Sequence, residues 1–502
     1  MSTQVLTPSQ SWTRLAMWAV FATAFINALQ YTVAVCNPLI SADNWIFIDT
    51  FLRPAIDGRL DIGDFLVKRA GVDHAQPLNK LLMLLNYRLF GLDFAIEGVV
   101  GMGFGLAALL VLYRASIADT LSPSRPSVFY ALMAAAAAVW FSLNSSMIYS
   151  FSLVTMGFAP FFFALTCIWA AWHALEHERL WPLFLAMVIY GVIGDDSAII
   201  AVLVLTMVSL AWGWRSGCMR QAWRAVSVMV VAVVLCRIFY AVFGEIRGTT
   251  LPVFNVPLAQ RVTGLTSHWR DAWQWFAIPT TSGVAYTAPL QRLLGAPWHT
   301  AQTVLALVLL LAHGWFWRAA WRTPIRATSF VAISLMLLFY AYLAGLLLTR
   351  IFVRGADYLN QPRYISFYQF NIIALLVMAA ARSLQPDAIG LRRWAWVPVL
   401  VLLLVQIPLS LSARWEAPYI REYYVQMAQQ WAAMALDPLH PPVVCAPELA
   451  LCQMPYARRL AALHFVRDKR INLYSPRFDA AHPQLARAAA PMLPNAAGSA
   501  PE

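Results

Sequence analysis

Long apolar runs, separated by polar segments, follow one another along most of the chain. A helix that crosses a bilayer needs about 20 mostly apolar residues. Runs near this length lie at 15–36, 94–113, 127–144, 151–173, 180–193, 197–213, 225–243, 300–317, 328–348, 364–381 and 394–411. The pair 180–193 and 197–213 is too long for one helix and short for two. The pattern predicts an all-α polytopic membrane protein with about eleven transmembrane helices.

The composition agrees with lipid as the solvent for much of the chain. Of the 502 residues, 60% are hydrophobic and 12% are charged, whereas about 25% of the residues of a soluble protein are charged. The mean hydropathy is +0.62. The formal net charge is +12, but no nucleic-acid-binding motif accompanies it, so we expect no nucleic acid among the partners.

Arginines in short loops predict the orientation, because loops on the cytoplasmic side carry an excess of Lys and Arg. With the N-terminus inside and about eleven spans, every inside loop carries arginine. These residues are Arg114, Arg125, Arg179, Arg215, Arg220, Arg224, Arg318, Arg322, Arg326, Arg382, Arg392 and Arg393. Three large segments, 37–93, 244–299 and 412–502, are then outside, as is the C-terminus.

The predicted organisation is a membrane domain over residues 1–411, which includes the outer segments 37–93 and 244–299, followed by a tail. Residues 412–480 form an outer C-terminal segment, and the Ala/Pro-rich residues 481–502 are expected to be disordered. Cys445 and Cys452 lie close together in this tail. They either close a small disulfide loop in an oxidising compartment or remain two free thiols.

The segment 37–93 contains two candidate surface helices. Residues 45–52 are amphipathic and suited to lie at the membrane surface. Residues 78–90 mix Lys80, Asn86 and Arg88 with leucines, and we interpret them as a surface or re-entrant helix. The alternative is an ordinary spanning helix, which would reverse every later loop.

Acidic residues at two places are candidates for chemistry. Asp43 and Asp49 follow the first apolar run, where a carboxylate at the membrane surface can deprotonate an acceptor hydroxyl. The alternative for Asp43 is a helix N-cap. Asp195 and Asp196 interrupt an apolar stretch, where ionisable groups are costly and often functional. They either hold a divalent cation, pair with an arginine, or form a solvated turn that caps the next helix.

Four arginines lie on the predicted outer side, although Lys and Arg are more frequent on the cytoplasmic side, so their position needs another explanation. They are Arg237, Arg350, Arg354 and Arg363. A guanidinium matches phosphate oxygens, so these residues are candidates for binding a lipid phosphate. The alternative is pairing with Asp357 or with the acids at 195 and 196. Lys80 and His74 are further phosphate candidates.

Aromatic side chains in the segment 244–299 suit either an interfacial belt or stacking on sugar rings. We favour the belt for most of these residues, which are Trp269, Trp273, Trp275, Phe276 and Tyr286.

A series of short motifs follows the first apolar run. An acid is followed by a long outer loop, a polar residue before Pro-Leu (Gln76-Pro77-Leu78), a helix and the turn Phe90-Gly91-Leu92. Gln361-Pro362-Arg363-Tyr364 and the tail segments 460–463 and 470–474 extend the pattern over most of the chain. In this layout the sequence resembles the GT-C superfamily of membrane glycosyltransferases, which use sugars carried on polyprenyl phosphate or diphosphate.

The resemblance implies an inverting glycosyltransferase of the bacterial inner membrane that acts on the periplasmic face. A sugar would pass from a polyprenyl-phosphate donor in the membrane lipid to a glycolipid, lipopolysaccharide or protein. Asp43 matches the family's first-loop acid, which acts as base, with Asp49 as a candidate substitute. Asp195, Asp196 and Tyr364 are candidates for the acceptor or a second acidic site.

The sequence departs from the family pattern at two points. Many members carry a second acid beside the first, and here that position is Asn44. The second outer loop, 144–147, also contains no acid. These departures weaken the case for a metal. If Mg²⁺ or Mn²⁺ binds, Asp195 and Asp196 are the candidate ligands.

Two other classes of function stay open. One is a transporter or a flippase of lipid-linked glycan, although no internal symmetry of the kind common in transporters is visible. The other is an enzyme similar to O-antigen ligases or polymerases. A polar cavity that opens outward and is floored by Asp43 favours the transferase, and a cavity through the bilayer favours transport.

Overall fold

The computed structural model describes residues 8–68, 75–117, 127–194, 196–244, 256–351 and 354–490. Within these residues the protein is built from helices and contains no β-strand. The coarse expectation, an all-α membrane protein with several apolar helices, is therefore confirmed.

The helices follow one another with short connections. Up to residue 243 they are α1 (Pro8–Val35), α2 (Asn44–Phe47), a π-helical turn (Ile48–Leu52), α3 (Arg53–Ile56), α4 (Ile62–Leu66), α5 (Pro77–Phe90), α6 (Phe94–Ile117), α7 (Ser127–Trp140), α8 (Ser146–Ser150), α9 (Ser152–Thr155), α10 (Phe158–His177), α11 (Leu180–Ile193), α12 (Asp196–Ser216) and α13 (Met219–Phe243). Beyond residue 256 they are α14 (Leu258–Ser267), α15 (Ala272–Ser282), α16 (Thr287–Leu294), α17 (Trp298–Arg322), α18 (Ala327–Leu346) with a π-helical extension (Leu347–Ile351), α19 (Ile365–Ser383), α20 (Ile389–Trp394), α21 (Trp396–Leu436), α22 (Tyr456–Asp468), α23 (Pro476–Ala481) and α24 (Pro483–Ala489).

Every predicted apolar run is largely helical, although the run at 151–173 is divided between α9 and α10. In the described part of the chain, nine helical segments are long and apolar enough to cross a membrane. They contain α1, α6, α10, α12, α13, α17, α18, α19 and α21. The runs at 127–144 and 180–193 form the shorter apolar helices α7 and α11, of 14 residues each. Each is only about 21 Å long, against roughly 30 Å for the hydrocarbon core, so the full count of eleven stays a prediction.

Contacts between loops divide the bundle into two ends. At one end Arg215 donates to the backbone carbonyls of Ala320, Trp321 and Thr323, and Thr328 donates to the carbonyl of Ser116. These residues lie in or beside the arginine-bearing loops. We call this the inner end and the opposite one the outer end, following the orientation that the arginines predict.

At the outer end, segments that the sequence places outside meet one another. The amide of Asn37 donates to the carbonyl of Ser150, and the Asn144 side chain donates to the carbonyl of Ser282 at 2.6 Å. The grouping of loops at each end therefore agrees with the predicted alternation of the helices.

Small residues allow the membrane helices to pack closely. A Cβ on Gly101 would lie 2.7 Å from the backbone of Thr155, and one on Gly105 would lie 3.1 Å from the Phe141 ring. The Trp140 indole donates to the carbonyl of Gly105 at 3.0 Å. Close backbone approach of this kind is the main source of helix association in lipid.

A second hydrophobic core lies at the outer end and joins the first outer loop to the C-terminal segment. The rings of Trp45 and Trp431 meet edge to face at 4.9 Å, and both are buried. The amide of Ala42 donates to the carbonyl of Glu448 at 2.6 Å. Two segments that are distant in sequence therefore fold as one cover, which we call the outer cover.

The helix α21 connects the membrane bundle to this outer cover. It runs from Trp396 to Leu436 without a break, although it contains Pro408 and Pro418. The predicted boundary at residue 411 falls inside this helix. The second half of α21 contributes Met427, Trp431 and other buried residues to the outer core, which explains why it stays helical beyond the apolar run.

The helix α5 lies along the outer end. Its N-terminal residues Gln76 and Asn79 border Gly194, at the outer turn between α11 and α12. At its other end, the backbone of Gly91 accepts a hydrogen bond from Asn472 in the tail. Both ends of α5 thus contact segments assigned to the outer end, and among the described helices α5 is not one that is long and apolar enough to cross a membrane, which favours the surface interpretation.

The tail is more ordered than the composition suggests. Disorder is expected from residue 481, but Pro483–Ala489 forms α24, in which Leu485 and Ala489 are buried against the outer core. One turn of spacing places these apolar side chains on one face. The remaining part of that prediction, 491–502, lies outside the described residues. Cys445 and Cys452 are joined in a disulfide, in agreement with one of the two alternatives.

Candidate functional site at the outer end

Asp43 occupies the N-cap position of α2, but its side chain makes no capping hydrogen bond. Its backbone carbonyl accepts the amides of Ile46 and Phe47 instead. The preceding residue, Ala42, adopts a left-handed conformation with φ of 46°, which is costly for a residue with a Cβ. The capping alternative therefore does not account for the carboxylate of Asp43.

Asn44, which stands where many GT-C members carry a second acid, is buried with 1% exposure. Among the described residues, neither its Oδ1 nor its Nδ2 atom has a hydrogen-bond partner. A buried amide without hydrogen-bond partners costs free energy of folding. The side chain next to Asp43 is therefore an unsatisfied polar group inside the outer core.

Asp49 is engaged in ion pairs. Its carboxylate lies 3.3 Å from the guanidinium of Arg53 and 2.9 Å from that of Arg458, in α22. Arg53 also donates to the carbonyl of Ala461 and lies over the Phe465 ring. These contacts tie the first outer loop to the tail, which gives Asp49 a structural role.

Lys80 is fully buried, and its ammonium donates to three backbone carbonyls. They belong to Asp64, Phe65 and Val67, at 3.0, 3.1 and 2.8 Å. The sequence interpretation of Lys80 as a phosphate ligand does not fit this geometry, because the enclosed ammonium stabilises the fold of the first loop. His74, the other candidate in this loop, lies outside the described residues.

A cavity of about 190 Å³ lies at the outer end between α5, α9, α10, α19 and the α11–α12 turn. We call it the α5 cavity. Its walls include Gln76 and Asn79 from α5, Gly194 and Ser197 beside the predicted acid pair, and Phe367 from α19. The Gln76-Pro77-Leu78 motif and the turn at the acid pair therefore meet around one space, together with α9, α10 and Phe367 of α19.

The acid pair itself can be placed only in part. Asp195 lies outside the described residues, and Asp196 begins α12, with its side chain outside the described set. The flanking Gly194 allows close packing, since a Cβ there would lie 2.4 Å from the ring of Tyr190. The backbone on both sides of the acids thus borders the α5 cavity.

Gln76, which lines this cavity, has a strained backbone, with φ of 50°. Its side-chain carbonyl accepts a hydrogen bond from Asn79 at 3.0 Å, and Pro77 follows as the first residue of α5. Non-glycine residues in this conformation concentrate at functional sites, which favours a role for the Gln-Pro-Leu motif.

Arginines and tyrosines gather in the loop before α19, which we call the Arg–Tyr loop (354–364). The guanidinium of Arg354 lies 5.1 Å from the Tyr358 ring, and that of Arg363 lies 5.2 Å from the Tyr364 ring. Arg363 also donates to the Tyr358 hydroxyl. In the described chain neither arginine pairs with Asp357, so that alternative does not hold for these two residues.

The remaining predicted arginines lie on elements that border this region. Arg350 is in the π-helical extension of α18, which packs against the turn Ala356–Asn360. Arg237 lies in α13, one turn before Tyr240, whose hydroxyl donates to the carbonyl of Val192 beside the α11–α12 turn. The neighbourhood of Arg237 is therefore the α11–α12 turn, whereas that of Arg350 is the Arg–Tyr loop.

A second polar cavity, of about 160 Å³, lies between α16, α21 and the loop after α7. We call it the α16 cavity. Arg292 and Glu416 form an ion pair at 3.7 Å on its wall, and the Oγ of Ser145 is buried without a partner among the described residues. Burial, and secondarily the Glu416 carboxylate, raise the pKa of Tyr286.

Sequence reasoning missed the α16 cavity for two reasons. The second outer loop contains no acid, and here the acid comes from Glu416, in a distant helix. Tyr286 was assigned to the aromatic belt, but its hydroxyl donates to the carbonyl of Asn360 at 2.6 Å and its ring lines the cavity. Trp269, in contrast, is 68% exposed, as a belt residue would be.

Asp43 lines neither of these cavities in the described structure. It lies one helical turn before Phe47, whose ring is 5.8 Å from the Lys80 ammonium on α5. The helix that carries Asp43 therefore packs on the helix that forms one wall of the α5 cavity. The described residues also contain no group of three His, Cys, Asp or Glu side chains suited to a metal ion.

Comparisons of the chain with protein-family models, with curated proteins and with solved structures found no match. The resemblance to GT-C glycosyltransferases therefore rests on the motifs and their order in this sequence alone.

Proposed function

We propose that the protein is an inverting membrane glycosyltransferase that moves a sugar from a polyprenyl-phosphate donor to a cell-envelope acceptor. The observation that carries this proposal is the α5 cavity. It lies at the outer end and is lined by Gln76 and Leu78 of the Gln-Pro-Leu motif, by the α11–α12 turn and by Phe367 of α19. A hydrophilic acceptor and a lipid-borne donor can both approach such a position at the membrane surface.

In this proposal Asp43 is the base. An acceptor hydroxyl attacks the anomeric carbon of the sugar, the bond from that carbon to the phosphate oxygen breaks, and the hydroxyl proton passes to the Asp43 carboxylate. Contacts of a catalytic base commonly tighten only in the substrate complex. Because Asp43 does not line the α5 cavity, this role requires the acceptor hydroxyl to reach the start of α2, which packs on α5 beside the cavity.

Arg354 and Arg363 are the proposed ligands of the departing polyprenyl phosphate. Both are exposed, both lie on tyrosine rings, and a guanidinium held on a ring keeps N–H groups available for phosphate oxygens. Arg350 and Arg237 are secondary candidates by position. Fixed positive charge where the phosphate develops charge stabilises the transition state.

The proposed location is the bacterial inner membrane, with the N-terminus in the cytoplasm and the C-terminus in the periplasm. The support is the meeting of the arginine-bearing loops at one end of the bundle, since such loops favour the cytoplasmic side. The disulfide in the tail agrees with an oxidising compartment at the other end.

The test is transfer by the purified full-length protein in lipid nanodiscs. Undecaprenyl phosphate carrying a radiolabelled hexose or pentose serves as donor, envelope glycolipid and lipopolysaccharide serve as acceptors, and release of the lipid phosphate is measured. Asp43→Asn is expected to lower the rate by about 10²–10⁴-fold, the usual contribution of a positioned base.

Asp57→Asn is the matched control, because Asp57 lies in the same loop and pairs only with the exposed Arg59 in the described structure. Its transfer rate should equal that of the wild type. Unchanged transfer by Asp43→Asn would exclude the role of Asp43. Movement of an intact lipid-linked glycan across the bilayer without bond cleavage would instead identify a transporter.

A further inference from the structure

A groove of about 570 Å³ lies between α1 and α21 on the lipid-facing side of the bundle. Its floor is formed by Ala138 of α7 and Phe141 just after this helix, and its α1 wall includes the small residues Ala19 and Ala24. None of the residues that line the α5 cavity lines this groove. The groove is therefore a separate feature from the proposed transfer site.

The groove has the length of one membrane leaflet. Along α21 its lining residues run from Leu403 to Arg414, which corresponds to about 16 Å of α-helix. Half of a hydrocarbon core is about 15 Å thick. The apolar part of the groove is thus long enough to hold much of one acyl chain from the outer leaflet.

The side chain of Arg414 lies at the outer end of this groove. Arg414 donates to Asn27 Oδ1 at 2.9 Å, and Asn27 donates in turn to Ser410 Oγ at 3.2 Å. In the part of the chain that the structure describes, Arg414 forms no ion pair with a carboxylate. The neighbouring Glu416 is paired with Arg292 instead.

The level of Arg414 in the membrane follows from the aromatic residues beside it. Trp415 and Tyr419 are 62% and 78% exposed, and exposed Trp and Tyr concentrate where lipid headgroups begin. A guanidinium at that level, with one N–H group occupied by an amide oxygen, has others free for a phosphate.

We propose that this groove binds an anionic glycerophospholipid of the outer leaflet, with its phosphate on Arg414 and one acyl chain along α1, α7 and α21. The occupant is a structural lipid and not the sugar donor, because the groove does not border the α5 cavity. The inference does not depend on the proposed transferase activity.

Native mass spectrometry of the delipidated full-length protein tests the proposal. Phosphatidylglycerol, phosphatidylethanolamine and undecaprenyl phosphate are titrated separately. Arg414→Gln should weaken phosphatidylglycerol binding about tenfold or more, as expected for the loss of a hydrogen bond to a charged group. Arg421→Gln, on the same helix and outside the groove, should bind as the wild type does.

A second pair of variants tests the acyl-chain part of the groove without altering its charge. Ala24→Phe fills the groove and should abolish phosphatidylglycerol retention, whereas Ala22→Phe, on an exposed position that does not line the groove, should retain it. Unchanged binding by Arg414→Gln or by Ala24→Phe would overturn the proposal. So would equal retention of phosphatidylethanolamine, and a preference for undecaprenyl phosphate would assign the groove to the carrier lipid instead.

Discussion

Lys80 in the first outer loop and the two arginines of the Arg–Tyr loop are basic residues on the same predicted side of the membrane. The sequence marks all three as phosphate ligands. Lys80 is fully buried, and its ammonium is surrounded by three backbone carbonyls. Arg354 and Arg363 are exposed and rest on aromatic rings.

The difference shows what makes a cation available to a ligand. Neither the residue type nor the predicted side of the membrane decides whether a cation is available. Buried backbone carbonyls compete with a ligand for the N–H donors of the side chain. A tyrosine face attracts the guanidinium through the ring quadrupole and does not use its N–H groups, of which Arg363 donates one to the Tyr358 hydroxyl. We therefore expect Lys80 to act on stability and the arginines to act on lipid phosphate.

Lys80→Met should produce the largest effect on stability. Three backbone carbonyls, two of them in fully buried hydrogen bonds, would lose their donor, which corresponds to about 2–5 kcal/mol in the free energy of unfolding. The shift in thermal unfolding of the purified protein and the rate of proteolysis within 37–93 measure this loss. Lys469→Met, at an exposed position in the tail, is the control and should leave both unchanged.

If Lys80→Met instead retained full stability and lost binding of undecaprenyl phosphate, the contrast between a structural Lys80 and phosphate-binding arginines would be wrong. Lys80 would then reach the ligand in a conformation that differs from the one described here.

The double variant Arg354→Gln/Arg363→Gln should show the opposite behaviour. Loss of two charge-assisted contacts lowers the affinity for undecaprenyl phosphate by about a hundredfold or more, while the unfolding temperature stays close to that of the wild type. Binding is measured with the lipid in nanodiscs, and unfolding with the same preparation.

Arg215→Gln is the counterpart at the inner end. Arg215 donates to three backbone carbonyls, so its loss should lower the unfolding temperature and leave lipid-phosphate affinity unchanged. A double variant that loses stability without losing affinity would contradict the role proposed for the Arg–Tyr loop.

The membrane bundle was predictable because hydrophobic length is a local property. Each apolar run had to satisfy its backbone internally in lipid, which only a helix can do within one segment. The shortness of α7 and α11 was visible in part, since the run at 180–193 was already short for a span. The continuation of α21 beyond its apolar run was not predictable, because its outer half is held by contacts with Trp45 and the tail.

The site was predictable only in pieces. The Gln-Pro-Leu motif and the acid pair were each found by their local pattern, but their meeting around one cavity with Phe367 of α19 depends on helix packing. The pairing of Asp49 with Arg458 joins residues 409 positions apart, and no local signal reveals it. The α16 cavity was missed for the same reason, since Arg292 and Glu416 come from different helices.

Asp49→Asn should have the smallest effect and separates the two acids of the first loop. The Asp49 side chain is 26% exposed and lies between two arginines, and partly exposed ion pairs contribute only about 0–1 kcal/mol. Thermal unfolding should therefore shift slightly, and transfer should stay at the wild-type rate, in contrast to Asp43→Asn.

Arg458→Gln removes the same pair from the other partner and should reproduce the small shift. A loss of transfer in Asp49→Asn that Arg458→Gln does not share would make Asp49 the base, because only the carboxylate, and not the ion pair, would then be required.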